Sequence, residues 1–94
     1  MNQLPAAYDF KTEIEKIKYN AKIEGKAYVD ITSGELHKSL GGYPARNHRM
    51  ASCCQVMYQM MKISDEVLAA PPKGKGATLK IRYYLDNDFS NNGK

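Results

Sequence analysis

The sequence predicts a small α+β domain with three helices and a C-terminal β-hairpin in a sheet of two or three strands. Apolar side chains recur every three or four residues over 9–24 and over 46–62, which is the period of helices with one buried face. Between residues 79 and 85 apolar and polar side chains alternate instead, as they do in a half-buried strand. We therefore expect one folded domain that spans residues 9–85.

The first predicted helix covers residues 9–24, with Asp9 as a cap at its start and Gly25 at its end. Its apolar face consists of Phe10, Ile14, Ile17 and Ala21. Lysine and glutamate fill the other positions, and oppositely charged neighbours three residues apart contribute only about 0.2–0.5 kcal/mol each. We interpret the charged face as solvated surface and residues 1–8 as a flexible N-terminus.

A short strand near residues 28–31 precedes a second, short helix. Thr32 and Glu35 have the spacing of a capping box, in which each side chain binds the backbone N–H of the other residue. Leu36 and Leu40, four residues apart, form the buried face of this helix. The glycine pair that follows can end it, because glycine tolerates a left-handed conformation.

The third predicted helix, 46–62, has a face that is rich in sulfur. The sulfur-containing side chains on this face are Met50, Cys53, Cys54, Met57, Met60 and Met61. Core packing explains them better than redox or metal chemistry, because buried thiols and thioethers are common in helices. A disulfide between adjacent cysteines would be strained, and the spacing of His37 and His48 to the cysteines fits no zinc pattern.

Two β-prone arms around a loop rich in proline, glycine and lysine form the predicted hairpin. The shorter arm lies near residues 67–68, and the longer arm is the alternating strand. Residues 70–78 form the loop between them. Residues 86–94 are polar and are predicted to be a disordered tail.

The net charge of +4 is unevenly distributed along the chain. Residues 1–33 are neutral overall, residues 34–82 carry +5 and residues 83–94 carry −1. A basic excess in one part of a domain favours a polyanionic partner. No apolar run has the length of a membrane span and the N-terminus does not have the pattern of a secretory signal, so we expect a cytoplasmic protein without a membrane partner.

The order of these elements resembles the winged helix-turn-helix family. The resemblance is carried by the segments SGELHKSL, GGYPARN, HRMASCCQVMYQMMK and EVLAAPPKGKGATLKIRYYL. The blocks GELH, GGYP and NHRM also resemble small winged-helix modules of bacterial and phage proteins, some of which are fused to nucleases. The GGYP turn is longer than the tightest link of the family, which leaves the crossing angle of the two helices open. The resemblance implies that 46–62 is a recognition helix that enters the major groove and that 70–78 is the wing.

Candidate DNA-binding residues follow from the resemblance and from side-chain chemistry. Arginine can donate two hydrogen bonds to guanine, asparagine and glutamine can pair with adenine, and lysine suits phosphates. The candidates on the recognition helix are Arg46, Asn47, His48, Arg49, Ser52 and Gln55. The candidates for contacts with the DNA backbone are Lys38, Tyr43, Lys73, Lys75, Lys80 and Arg82.

Each candidate also has an explanation without DNA. The arginines can be ordinary solvated cations, Asn47 can be a helix cap, and the wing lysines can keep a hairpin loop soluble. Cations at a helix start oppose the helix dipole by about 0.3–1 kcal/mol each, which favours a role outside the fold for the arginines.

The sequence predicts a binding module and not an enzyme, because it has no nucleophile beside a base, no paired carboxylates and no cofactor loop. We expect no metal and no cofactor. The favoured function is sequence-specific binding of double-stranded DNA, as a small transcriptional regulator or a DNA-reading module. The alternative is a winged-helix module that binds protein, such as a phage-encoded inhibitor of a bacterial defence system. The sequence leaves open whether the chain forms a homodimer.

Overall fold

A computed structural model describes residues 6–41, 49–72 and 76–85. Within these residues the chain forms a mixed α+β domain with three helices and one three-stranded antiparallel sheet. The elements in chain order are α1 (Ala7–Ile23), β1 (Tyr28–Thr32), α2 (Ser33–Leu40), α3 (Met50–Gln59), β2 (Glu66–Ala69) and β3 (Lys80–Tyr84). The predicted α+β class is therefore confirmed.

The central strand of the sheet is β3. The strand order is β1–β3–β2, and both neighbouring pairs are antiparallel. Ile31 lies opposite Ile81 in the first pair. The second pair has an irregular register between Val67 and Ala69, and such bulges are common on short edge strands, where they limit pairing with other chains.

The core lies between the helices and the inward side of β3. Its fully buried members are Phe10, Ile14, Cys53, Cys54, Met57, Leu79, Ile81 and Tyr83. The alternation predicted for 79–85 is confirmed from Leu79 to Tyr83, where every second side chain is buried. Both cysteines are free and buried, which confirms that the thiols pack in the core.

The first helix begins at Ala7, two residues before the predicted boundary. Asp9 lies in its first turn, where its carboxylate accepts the backbone N–H of Ala6 at 2.8 Å. The chain turns away at Gly25, which has a φ of +83°. Residues 1–5 and 86–94, the remaining parts of the predicted termini, lie outside the described residues.

The capping box predicted at the start of α2 is wrong. Thr32 is the N-cap residue, but its side chain makes no capping hydrogen bond. The N–H groups of Ser33 and Gly34 donate instead to the carbonyls of Leu79 and Ala77, at 2.8 and 3.0 Å. The carbonyl groups of the residues that precede β3 therefore accept the N–H groups that a capping side chain would otherwise bind.

The third helix covers Met50–Gln59 and is therefore shorter than the predicted 46–62. Arg49 is the N-cap residue and has a non-helical backbone, and its N–H donates to Nε2 of His37 at 2.9 Å. At the other end, the N–H of Lys62 donates to the Asp65 carboxylate at 2.8 Å. The start of the helix is thus fixed by a side chain of α2, and the turn that follows its end is fixed by the carboxylate of Asp65.

Candidate nucleic-acid interface

The predicted DNA-binding residues divide into those that the structure describes and those that it does not. The described candidates are Lys38, Arg49, Ser52, Gln55, Lys80 and Arg82. The candidates outside the described residues are Tyr43, Arg46, Asn47, His48, Lys73 and Lys75. The geometry below therefore concerns α3, the helix before it and the strands that frame the loop.

The outward face of α3 is polar and carries no carboxylate. Together with the residue that precedes the helix, it consists of Arg49, Ala51, Ser52, Gln55 and Gln59. Arg49, Gln55 and Gln59 are exposed, and Ser52 is half-buried. No acidic residue occurs from 36 to 64 in the sequence. A polyanion that approaches this face would meet hydrogen-bonding groups and no charge of its own sign on the helix.

The end of the β2–β3 loop is anchored beside the first half of α3. The thiol of Cys54 contacts both the N–H and the carbonyl oxygen of Gly76, each at 3.2 Å. The Ser33 hydroxyl donates to the same carbonyl in a short hydrogen bond. Because Cys54 lies in the second turn of α3, the end of the loop and the start of the helix belong to the same end of the molecule.

Gly34 allows this anchoring because it has no side chain. A Cβ at this position would lie 2.9 Å from the carbonyl oxygen of Ala77 and 3.2 Å from the Ala77 Cβ. Backbone atoms cannot move aside as a flexible side chain can, so a larger residue would push α2 away from residues 76–79. The close approach also lets the Gly34 N–H donate a hydrogen bond to the Ala77 carbonyl oxygen.

His37 joins the end of α2 to the start of α3. Its ring is fully buried and contacts Phe10 edge-on, with 5.1 Å between the ring centroids. Because Nε2 accepts the N–H of Arg49, the proton of the neutral ring belongs on Nδ1, which lies 3.1 Å from the carbonyl oxygen of Gly41. One imidazole therefore holds both ends of the segment between the two helices.

The sequence interpretation did not give His37 this role. A signal for its burial was nevertheless present, since Ser33, Leu36, His37 and Leu40 follow the spacing of a buried helix face. The hydrogen-bond partners could not be read from the sequence, because Arg49 belongs to another helix cap twelve residues away.

Arg82 is already bound within the protein. Its guanidinium donates to both carboxylate oxygens of Asp30, at 2.8 and 3.0 Å, and lies 3.9 Å from the centroid of the Tyr28 ring. The hydrogen bond from Arg82 lowers the pKa of Asp30, and the same bond raises the pKa of Arg82. A DNA phosphate would have to compete with this carboxylate for Arg82.

The two described lysine candidates lie on different elements. Lys38 is exposed in the last turn of α2, where a cation also interacts favourably with the helix dipole. Lys80 is half-buried at the start of β3, opposite Thr32. Both lysines are compatible with phosphate contacts. The position of Lys38 is also explained without DNA, by its interaction with the dipole of α2.

A cluster of charged and polar groups lies at the other end of α3. The buried carboxylate of Asp65 accepts the N–H groups of Lys62 and Tyr84, at 2.8 and 2.9 Å. The ammonium of Lys62 lies 3.3 Å from this carboxylate and donates to the Tyr84 carbonyl at 2.8 Å. Burial raises the pKa of Asp65, but the hydrogen bonds from Lys62 and Tyr84 outweigh burial, so the net shift is downward. We assign this cluster to stability.

The described residues offer no group of three or more metal-ligating side chains. Burial, and secondarily the neighbouring Cys54, raises the pKa of Cys53 to about 12. The thiol of Cys53 is therefore protonated at neutral pH, which makes it a poor nucleophile and a poor metal ligand.

Comparison of the chain with protein-family models, with curated proteins and with solved structures finds no match in any of the three. Among the described helices, none combines the length and the apolar character that crossing a membrane requires.

Proposed function

We propose that this chain is a winged helix-turn-helix domain that binds double-stranded DNA in a sequence-specific manner, with α3 as the recognition helix. The element order and the strand order β1–β3–β2 are compatible with such a fold. The observation that carries the proposal is the outward face of α3, which offers an arginine and neutral hydrogen-bonding side chains without any carboxylate. In this fold family, that helix lies in the major groove.

Base contacts are assigned to the start and middle of α3. Arg49 can donate two hydrogen bonds to a guanine, and Gln55 can pair with an adenine. A good bidentate contact of this kind contributes about 1–3 kcal/mol of discrimination between bases. Ser52 is small enough to let the helix approach the groove closely.

Phosphate contacts are assigned to lysines around this face. Lys38 approaches the DNA backbone from α2, and Lys80 does so from the base of the β2–β3 loop. Such contacts set the orientation on the duplex and add affinity without sequence preference. The anchoring of Gly76 on Cys54 holds the end of the loop beside the helix, so both belong to the side of the domain that contacts the duplex.

The test begins with selection of bound duplexes from a random oligonucleotide pool, followed by titration at several salt concentrations. We expect an enriched sequence, and an affinity whose logarithm falls with log salt at about −0.9 per phosphate neutralised. Gln55→Ala is expected to weaken the selected sequence about tenfold and random DNA hardly at all.

A matched pair of lysines tests the phosphate contacts. Lys38→Ala should weaken selected and random duplexes alike and reduce the salt slope by about one. Lys11→Ala, on the exposed side of α1, removes the same charge and should leave both affinities unchanged. If no duplex is bound even at low salt, the DNA proposal is overturned, and capture experiments for a protein partner become the next test.

A further inference from the structure

The outward side of α1 carries a stripe of large side chains that are mostly exposed. Tyr8, Tyr19 and Ile23 are 74%, 64% and 62% exposed. With the exposed Thr12 they follow a spacing of four, seven and four residues, which places all of them on one side of the helix, opposite the buried Phe10. Their alignment on one helix face makes this stripe a candidate surface for contact with another molecule.

This stripe, defined by Tyr8, Thr12, Tyr19 and Ile23, is symmetric about its own centre. Tyr8 and Ile23 are equally far from the point between residues 15 and 16, and Thr12 and Tyr19 are also equally far from it. A second copy of α1 that runs in the opposite direction would therefore place its Ile23 opposite Tyr8 and its Tyr19 opposite Thr12. A surface with this property is self-complementary under a two-fold axis.

The charges of α1 change sign at the same point. Residues 7–15 hold three acidic residues and one lysine, whereas residues 16–23 hold three lysines and no acidic residue. An antiparallel pair places the acidic half of one helix beside the basic half of the other, whereas a parallel pair places like charges side by side. The helix dipoles also oppose each other favourably in the antiparallel arrangement.

We propose that α1 is the interface between two copies of this chain, which associate antiparallel about a two-fold axis that passes between residues 15 and 16. The tyrosines and Ile23 form the apolar contacts on either side of the axis, and Glu13 of one copy lies beside Lys16 of the other on the flank. This inference is independent of DNA binding, because it concerns a face of α1 and not the outward face of α3.

The first experiment measures self-association of the full chain by sedimentation equilibrium over a wide concentration range. The chain is expected to form dimers, and Ile23→Ser is expected to raise the dissociation constant at least tenfold. Ile63→Ser is the matched control, since Ile63 is fully exposed outside α1 and its replacement should leave the dissociation constant unchanged. A chain that stays monomeric throughout, or a control that weakens association as much as Ile23→Ser, would overturn the proposal.

A charge exchange tests the antiparallel orientation. Glu13→Lys and Lys16→Glu should each weaken the dimer, because each places like charges together at both symmetry-related contacts. The double variant should restore the affinity of the original chain, since the opposite charges face each other again. A dimer that the double exchange does not restore would overturn the antiparallel arrangement, and circular dichroism of each variant checks that the helix is retained.

Discussion

Two hydrogen-bonded clusters lie at opposite ends of α3, and only one of them contains an ion pair. The acidic cluster consists of Lys62, Asp65, Tyr83 and Tyr84. The neutral cluster consists of Ser33, His37, Cys54 and Gly76. Both clusters fix the ends of elements through side chains, but only the first does so with a carboxylate. A buried carboxylate paired with a lysine therefore stabilises one end of α3, whereas uncharged groups hold the end where we propose that DNA binds.

The largest expected effect comes from the acidic cluster. Asp65→Ala leaves the partly buried N–H groups of Lys62 and Tyr84 without their acceptor, and a fully buried unsatisfied group costs about 1–3 kcal/mol. We expect the free energy of unfolding to fall by about 2–4 kcal/mol, measured by urea denaturation at pH 7. Asp30→Ala breaks a partly exposed ion pair and should cost less stability than Asp65→Ala. If both variants lose the same stability, the contrast between buried and exposed carboxylates is wrong.

The acidic cluster should also make stability depend on pH. The pKa of Asp65 is lower in the folded chain than in the unfolded chain. Its contribution is therefore fully present above the unfolded pKa of about 3.9 and is lost as the pH falls through the still lower folded pKa. Denaturation series from pH 7 to pH 3 should show the original chain losing more stability than Asp65→Asn. Parallel curves for the two proteins would show that Asp65 is not the responsible group.

In the neutral cluster, His37→Phe keeps a buried ring beside Phe10 but removes both hydrogen bonds. We expect a loss of about 2 kcal/mol, because the Arg49 N–H and the Gly41 carbonyl lose their partner. Hydrogen exchange of the Arg49 amide should accelerate in this variant. His37→Gln, whose amide can both donate and accept, should recover part of the loss. Unchanged amide exchange in His37→Phe would refute the proposed link between the two helices.

A smaller loss is expected for Tyr83→Phe. The Tyr83 hydroxyl donates to the carbonyl of Met57 at 2.8 Å, inside the core. Removal of this one neutral hydrogen bond should cost about 1 kcal/mol, measured by thermal or urea denaturation. A loss as large as that of Asp65→Ala would mean that the neutral bonds of this end matter as much as the carboxylate.

The smallest effect concerns the thiols. Because burial raises the pKa of Cys53 to about 12, this side chain should not react with a thiol reagent at pH 8 in the folded chain. Cys54 is equally buried, so both should react only in denaturant, at rates set by unfolding. Rapid labelling of the native protein would show that the helix opens far more easily than its packing indicates.

The parts of the fold that depend on neighbours in sequence were predictable. The buried faces of α1 and α3 and the alternation of β3 follow from periodicity, and so does the exposure of Gln55. What the sequence did not reveal depends on partners far along the chain. Arg82 pairs with Asp30, which lies 52 positions earlier in the chain. The Ala77 carbonyl accepts an N–H group at the start of α2, and the ring of His37 accepts the N–H group at the start of α3. The sequence therefore predicted which side of α3 faces outward, but placed the first turn of that helix too early.

The contact between Gly34 and Ala77 has a consequence for how this chain can change during evolution. Position 34 is restricted by lack of space, whereas position 25 is restricted only by its backbone angle, since a Cβ there would meet no other atom within 4 Å. Asparagine, which tolerates positive φ better than most residues, should therefore be accepted at 25, while no replacement should be accepted at 34. Distant relatives should be recognisable by a glycine that follows a short strand by two residues, even where the charged surface has diverged completely.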